Sequence, residues 1–215
     1  MPHMVAGDGT RGIEHVFDVG EHIYDPTVDF ETKLTRLFEI ETEAFNLPYG
    51  FLTRIDPAAG EQTIEAAHGS HDSPQEGETV SLSKSYCRKT IGKPDGVFHI
   101  DNAPEEGLTA DPAYQHFGLD TYLGAAIGDG KNFYGTLCFG SSDPRETQIT
   151  AAERRLIKLL AMWVRNVFKI QFQCECGQSL FLPTESNSET ASVVSCEECE
   201  SKYAVTISEI GDLHS

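Results

Sequence analysis

The residues best suited to chemistry are six cysteines spread over 215 positions. Four form two tight pairs late in the chain, Cys174 with Cys176 and Cys196 with Cys199, while Cys87 and Cys138 stand alone in apolar surroundings. There is no cationic start followed by a hydrophobic stretch, so no signal peptide is expected, and paired cysteines in such a chain read as metal ligands before disulfides. A C-x-C-G knuckle and a C-x-x-C knuckle together offer four thiolates, the soft tetrahedral donor set that structural zinc prefers. One zinc ion is expected there, and four protein ligands leave no position for an activated water. A redox or disulfide arrangement and an iron–sulfur cluster are the alternatives. Cys87 is followed by Arg88 and Lys89, cations able to lower a thiol pKa, which makes it a candidate redox sensor, attachment point or catalytic thiol. The plain alternative is a buried, inert cysteine, and Cys138, within GTLCF, reads as core. His68, His71 and Asp72 are close in sequence, but no nucleophile is tied to them by spacing, so they read as a solvated loop. The DGKN run at 129–132 reads as a hairpin turn, not a phosphate loop.

These residues need elements to position them. Residues 1–28 lack periodicity and form an expected N-terminal arm. From Asp29, a capping residue, Phe30, Leu34, Leu37, Phe38 and Phe45 recur at helical steps. Strand-like runs follow at 49–55, 62–68, 78–82 and 97–101, the first two joined by the turn signal DPAAGE. Between them, SKSYCRKTI suggests one or two helical turns with Ser83 as cap. The Asp-, Pro- and Gly-rich stretch 102–120 is long enough for a lid or pocket loop. TYLGAAIG and NFYGTLCFG flank a DGK turn, the strongest hairpin signal in the chain. A long helix closes the unit; Thr150 and Glu153 form its capping box. Leu156, Leu159, Leu160, Trp163, Val164 and Val167 share one face, and Arg154, Arg155, Lys158, Arg165 and Lys169 lie opposite. The fold class expected is α+β: an antiparallel sheet flanked by helices over 29–170, with a small β module over 171–215.

In order and spacing, S-Y-C-R (85–88), H-I-D-N-A (99–103), D-P-A-Y (111–114), F-G-L-D-T-Y-L-G (117–124), Y-G-T-L-C-F (134–139) and T-A-A-E-R-R-L-I-K-L-L-A (150–161) resemble a GAF domain, most nearly those of haloarchaeal regulators. The resemblance implies a sheet with helices on both faces and a pocket for a small molecule or partner. It places Tyr86, Cys87, Asp101, Phe117, Tyr122 and Phe139 as pocket residues, with ordinary core packing, or a strand-end turn for Asp101, as the alternative. Bilin-binding members usually attach through Cys-His, and here Arg88 follows Cys87; the methionine-sulfoxide-reducing members need more cysteines around one pocket. The tail resembles a zinc ribbon, departing from it in the single residue between Cys174 and Cys176.

Charge bears on partners. The formal charge is −18: −4 over residues 1–28, −7 over 29–170 and −7 over 171–215, where Lys202 is the one Lys or Arg. Such a tail is poorly built to neutralise phosphates, so nucleic acid is an unlikely partner and an unidentified protein the better one. The carboxylate excess fits a halophilic archaeon. No apolar run approaches the roughly 18 residues of a membrane span. The function expected is a cytoplasmic, non-enzymatic GAF sensor or adaptor, with a homodimer through its terminal helices as its expected assembly. A regulator contacting DNA through the ribbon, or a thiol-based redox sensor or enzyme using Cys87, is the alternative.

Overall fold

The computed structural model describes residues 19, 28–69, 75–129, 132–173, 176, 179–181, 192–196 and 199–205. The expected arm lies outside these except for Val19 and residue 28. Contacts divide the chain into residues 1–161 and 162–215.

In the first unit, helix α1 (Phe30–Phe45) starts where the Asp29 carboxylate accepts from the Thr32 amide at 2.9 Å, and it stops at Asn46 in the left-handed conformation. Strands β1 (Tyr49–Asp56), β2 (Glu61–His68) and β3 (Thr79–Ser81) follow, then a 3₁₀ turn (Leu82–Lys84), helix α2 (Cys87–Ile91) and strand β4 (Val97–Ile100). Helix α3 (Pro112–Phe117) lies within the stretch expected to be a loop; Asp111 caps its start and Gly118, at φ 62°, its end. Strands β5 (Thr121–Asp129) and β6 (Asn132–Ser141) make the expected hairpin. Helix α4 (Ala151–Ile170) opens with the expected capping box: Glu153 accepts from the Thr150 amide at 2.6 Å and Thr150 from the Glu153 amide at 3.2 Å.

The six strands form one antiparallel sheet in the order β3-β2-β1-β6-β5-β4. Side chains alternate between its faces. On one, Phe139 packs edge-on against Phe38 and Phe45 of α1. α4 begins on this side, where Arg154 Nη1 lies 3.2 Å from Nε2 of His99 on β4, and Lys158 donates to the Asp95 carbonyl at 2.8 Å. The other face carries a second core, built from Phe51, Tyr86, Ile100, Phe117, Tyr122 and Cys138 among others, under α2 and α3.

Two local expectations change. The N-cap position of α2 is Tyr86, and the hydroxyl that accepts from the first helical amide, that of Cys87 at 3.0 Å, is Ser85; Ser83 pairs instead with Ser81. On α4 the buried stripe is Ile157, Leu160, Ala161 and Val164, a strict i, i+3, i+4, i+7 pattern, with Trp163 beside it; Leu159 is 60% exposed and Met162 52%. Among its described residues the second unit contains two short antiparallel hairpins, β7 (Gln171–Gln173) with β8 (Ser179–Phe181) and β9 (Ser192–Ser195) with β10 (Lys202–Val205).

Candidate functional site

Cross-strand register builds the pocket floor. Phe51, Cys138, Gly124 and Phe98 lie in one row across β1, β6, β5 and β4. Thr53 and Thr136 are directly paired in the next row. The Tyr122 ring lies over Gly124, where a β-carbon would overlap its hydroxyl. A glycine is therefore required for Tyr122 to reach the middle of the sheet.

Over this floor α2 supplies Cys87, and a buried polar network results. The Thr136 hydroxyl donates to Cys87 Sγ at 3.0 Å and accepts from the Cys138 thiol at 3.1 Å. Thr53 Oγ1 lies 2.7 Å from the same hydroxyl and accepts from the Thr136 amide at 3.1 Å. The Tyr122 hydroxyl sits 2.9 Å from Thr90 Oγ1, 3.1 Å from Cys138 Sγ and 4.0 Å from Cys87 Sγ. All of these side chains are buried. The hydrogen bond from Cys138, helped by Ser85, Thr136 and Tyr122, lowers the Cys87 pKa against the opposing effect of burial. Burial and the neighbouring Cys87 raise that of Cys138.

Arg88 and Lys89, the cations expected to act on Cys87, are committed elsewhere. Arg88 Nη2 binds both Asp111 oxygens, at 2.7 and 2.8 Å, and Lys89 Nζ lies 3.1 Å from Oδ2. Burial works against the Asp111 carboxylate, but the Arg88, Ala113 and Lys89 hydrogen bonds outweigh it and lower its pKa. The result is a clamp between α2 and the start of α3.

The space enclosed is small. It offers about 20 Å³ to water centres, room for a single water. Thr53, Gln62, Tyr86, Cys87, Tyr122 and Cys138 are among the residues that line it. Tyr86 and Gln62 are 1% and 2% exposed, and among the described residues neither the Tyr86 hydroxyl nor Gln62 Oε1 has a hydrogen-bond partner. Burial, then the Asp111 charge, raises the Tyr86 pKa.

Of the six residues placed in the pocket by resemblance, Tyr86, Cys87, Phe117 and Tyr122 line this space. Phe139 does not: it is one residue out of phase with Cys138 and faces α1. Nor does Asp101, whose Oδ1 accepts from the Ile149 amide at 2.7 Å and ties the end of β4 to the approach of α4. Thr53 and Gln62, which the resemblance does not single out, also line the space, and Thr136 bridges its two cysteines. Alternation within GTLCF, which pairs Thr136 with Cys138 and Leu137 with Phe139, is the signal that separates the faces.

In the second unit Cys176, Cys196 and Cys199 converge, with sulfur atoms all within 4.8 Å of one another and 3.5 Å between Cys176 and Cys196. The last two sit on a closed turn: Glu200 N–H donates to the Cys196 carbonyl at 2.9 Å and Cys196 N–H to the Ser201 carbonyl at 2.8 Å. Metal–sulfur bonds of about 2.3 Å in a tetrahedron set sulfurs about 3.8 Å apart, so the three thiols fit one zinc ion. Cys174 lies outside the described residues.

A six-stranded antiparallel sheet with helices on both faces and a covered pocket over one of them defines the class of the first unit as an α+β domain. The GAF domain model matches residues 29–167, and the chain belongs to the GAF domain family. Diguanylate cyclase DgcP of Escherichia coli K12 is 27% identical over 165 residues, which are 74% of this chain and 47% of that protein. The chain therefore spans about half the length of that relative. Two solved structures share the fold. The GAF domain of a phosphoenolpyruvate-protein phosphotransferase from Coxiella burnetii superposes with TM-score 0.58 at 17% identity, covering 74% of this chain and 94% of that one. The free methionine-R-sulfoxide reductase of Neisseria meningitidis, solved with its substrate, gives 0.57 at 14% identity, covering 77% and 93%. Among the described residues no helix is long and apolar enough to cross a membrane.

Proposed function

We propose that this chain is a regulatory GAF module that senses a small polar molecule or a partner protein and passes its state on by protein contact rather than by catalysis. The observation that carries this reading is the pair of fully buried, unpartnered polar atoms, Tyr86 Oη and Gln62 Oε1, at a space closed down to the size of a water. Buried polar atoms without partners cost about 1–3 kcal/mol each, and a ligand that satisfies them recovers that cost. Such a ligand enters by displacing α3, which the Arg88–Asp111 clamp holds over the site. The segment 102–120 then reports occupancy to the surface.

The tail holds one structural zinc ion in this reading, through Cys174, Cys176, Cys196 and Cys199. Convergence of three of the four thiols supports it. Zinc there supplies folding energy and no reaction step. The exposed Leu159 and Met162 of α4 favour self-association through the closing helix. The acidity of the tail, −7 over residues 171–215, favours protein over nucleic acid as its partner.

Native mass spectrometry of the purified protein tests all three elements. The expected spectrum shows a dimer carrying one zinc ion per chain and a small co-purified molecule that Gln62→Leu fails to retain. A metal-free monomer, or salt-sensitive binding to duplex DNA, overturns the corresponding element.

A further inference from the structure

We propose that Cys87 and Cys138 form a reversible disulfide inside the GAF pocket, so that the domain registers peroxide-class oxidants through the helix that carries its clamp. This goes beyond the ligand reading and is independent of it and of zinc, because both cysteines lie in the first unit and neither is a tail thiol.

Placement of the sulfurs carries the inference. Cys87 comes from α2 and Cys138 from the middle of β6, yet both touch the same Thr136 hydroxyl, at 3.0 and 3.1 Å. α2 packs directly on β5 and β6. Both sulfurs border the same water-sized space, which gives a very small oxidant a place beside them. Around them stand Thr53, Thr90, Thr136 and Tyr122, four hydroxyls where a purely apolar core would have none. The hydrogen-bond order also assigns roles. Thr136 donates to Cys87 and accepts from Cys138, which makes Cys87 the nucleophile and Cys138 the partner that resolves it.

The chemistry balances with hydrogen peroxide as oxidant. The Cys87 thiolate attacks one peroxide oxygen, the O–O bond breaks, and hydroxide leaves as Cys87 becomes a sulfenic acid. The Cys138 sulfur then attacks the Cys87 sulfur; the S–O bond breaks, and the departing oxygen takes the Cys138 proton and leaves as water. The two sulfurs lose two electrons, the peroxide gains them, and thiolate, thiol and peroxide give disulfide, water and hydroxide. An S–S bond of about 2.05 Å draws α2 toward β6. Because α2 also carries Arg88 and Lys89, the shift is felt at Asp111 and the segment it caps.

The test uses the full chain, treated with hydrogen peroxide, blocked with an alkylating agent under denaturing conditions, and digested with trypsin without reduction. The expected product is the peptide 85–88 disulfide-linked to the peptide 132–145, separated again by dithiothreitol. In Cys138→Ala the link is replaced by a Cys87 sulfenic acid that dimedone traps, while in Cys87→Ala oxidation of Cys138 is at least tenfold slower. The wild-type digest decides the matter even if a variant folds poorly. Recovery of both peptides alkylated after peroxide has oxidised most tail thiols, or Cys87 joined to a tail cysteine, overturns the proposal.

Discussion

The Thr136 hydroxyl accepts from one thiol and donates to the other, and Thr53 in turn hydrogen-bonds it from the neighbouring strand. Replacing it with valine keeps the branched shape and removes both of its roles. Thr136→Val therefore leaves Thr53 and Cys138 without their shared partner and is expected to cost about 1–3 kcal/mol in denaturant unfolding. It also withdraws a donor from Cys87, so alkylation of Cys87 at neutral pH should slow several-fold, read by peptide mapping after timed iodoacetamide treatment. A rate equal to that of the parent would show that the hydroxyl does not hold the thiolate. None of this follows from the cysteines' own surroundings in sequence. Thr136 and Cys87 are 49 positions apart, and only the register of β6 beneath α2 brings them together. The neighbouring cations, visible in sequence, are turned to Asp111 and not to the Cys87 sulfur.

Helices α2 and α3 are short, five and six residues, so tertiary contacts rather than propensity must hold them. Asp111 does this twice, accepting from the Ala113 amide at 2.9 Å as cap of α3 and binding Arg88 of α2 through both oxygens. Asp111→Asn is expected to destabilise the first unit by about 1–3 kcal/mol and to raise amide exchange selectively over residues 102–117. Because the folded state lowers the Asp111 pKa, its contribution is fully present above the ordinary aspartate value of about 3.9 and is lost as pH falls through the folded value. Stability of the parent and of Asp111→Asn should therefore converge as pH drops below about 4 in matched denaturant titrations; parallel curves would remove the clamp from the account. Elements with a local signal were legible in sequence: the cap and period of α1, the DGK hairpin, and the reciprocal box at Thr150 and Glu153. α3 was not, because its six residues have no repeating stripe and its start depends on a clamp formed across the fold. Faces were the other weak point. Strand parity is reversed by one residue, which separates Phe139 from Cys138, and on α4 the burial of Ile157 rather than Leu159 depends on where the sheet lies.

At the scale of the chain, charge and core are divided unequally. The first unit contains a six-stranded sheet with a core on each face. The tail has two short hairpins among its described residues, a formal charge of −7 over residues 171–215, and a single Lys or Arg, Lys202. A segment so small and so negative gains little from apolar burial and is opposed by its own repulsion, which is the deficit that the proposed zinc cross-link would make up. In the zinc site proposed above, Cys176, Cys196 and Cys199 would hold a divalent ion that offsets local negative charge and ties the hairpins together. Stripping the metal with a strong chelator should abolish amide protection across 192–205, and Cys196→Ser should do the same without chelator. The first unit keeps its own core and should melt within a few degrees of the untreated protein, so two probes, tail exchange and the main thermal transition, separate under one treatment. Zinc added back should restore tail protection at one ion per chain. Protection that survives in protein shown by elemental analysis to be metal-free would mean that the hairpins hold by packing alone, and the zinc site would have to be given up.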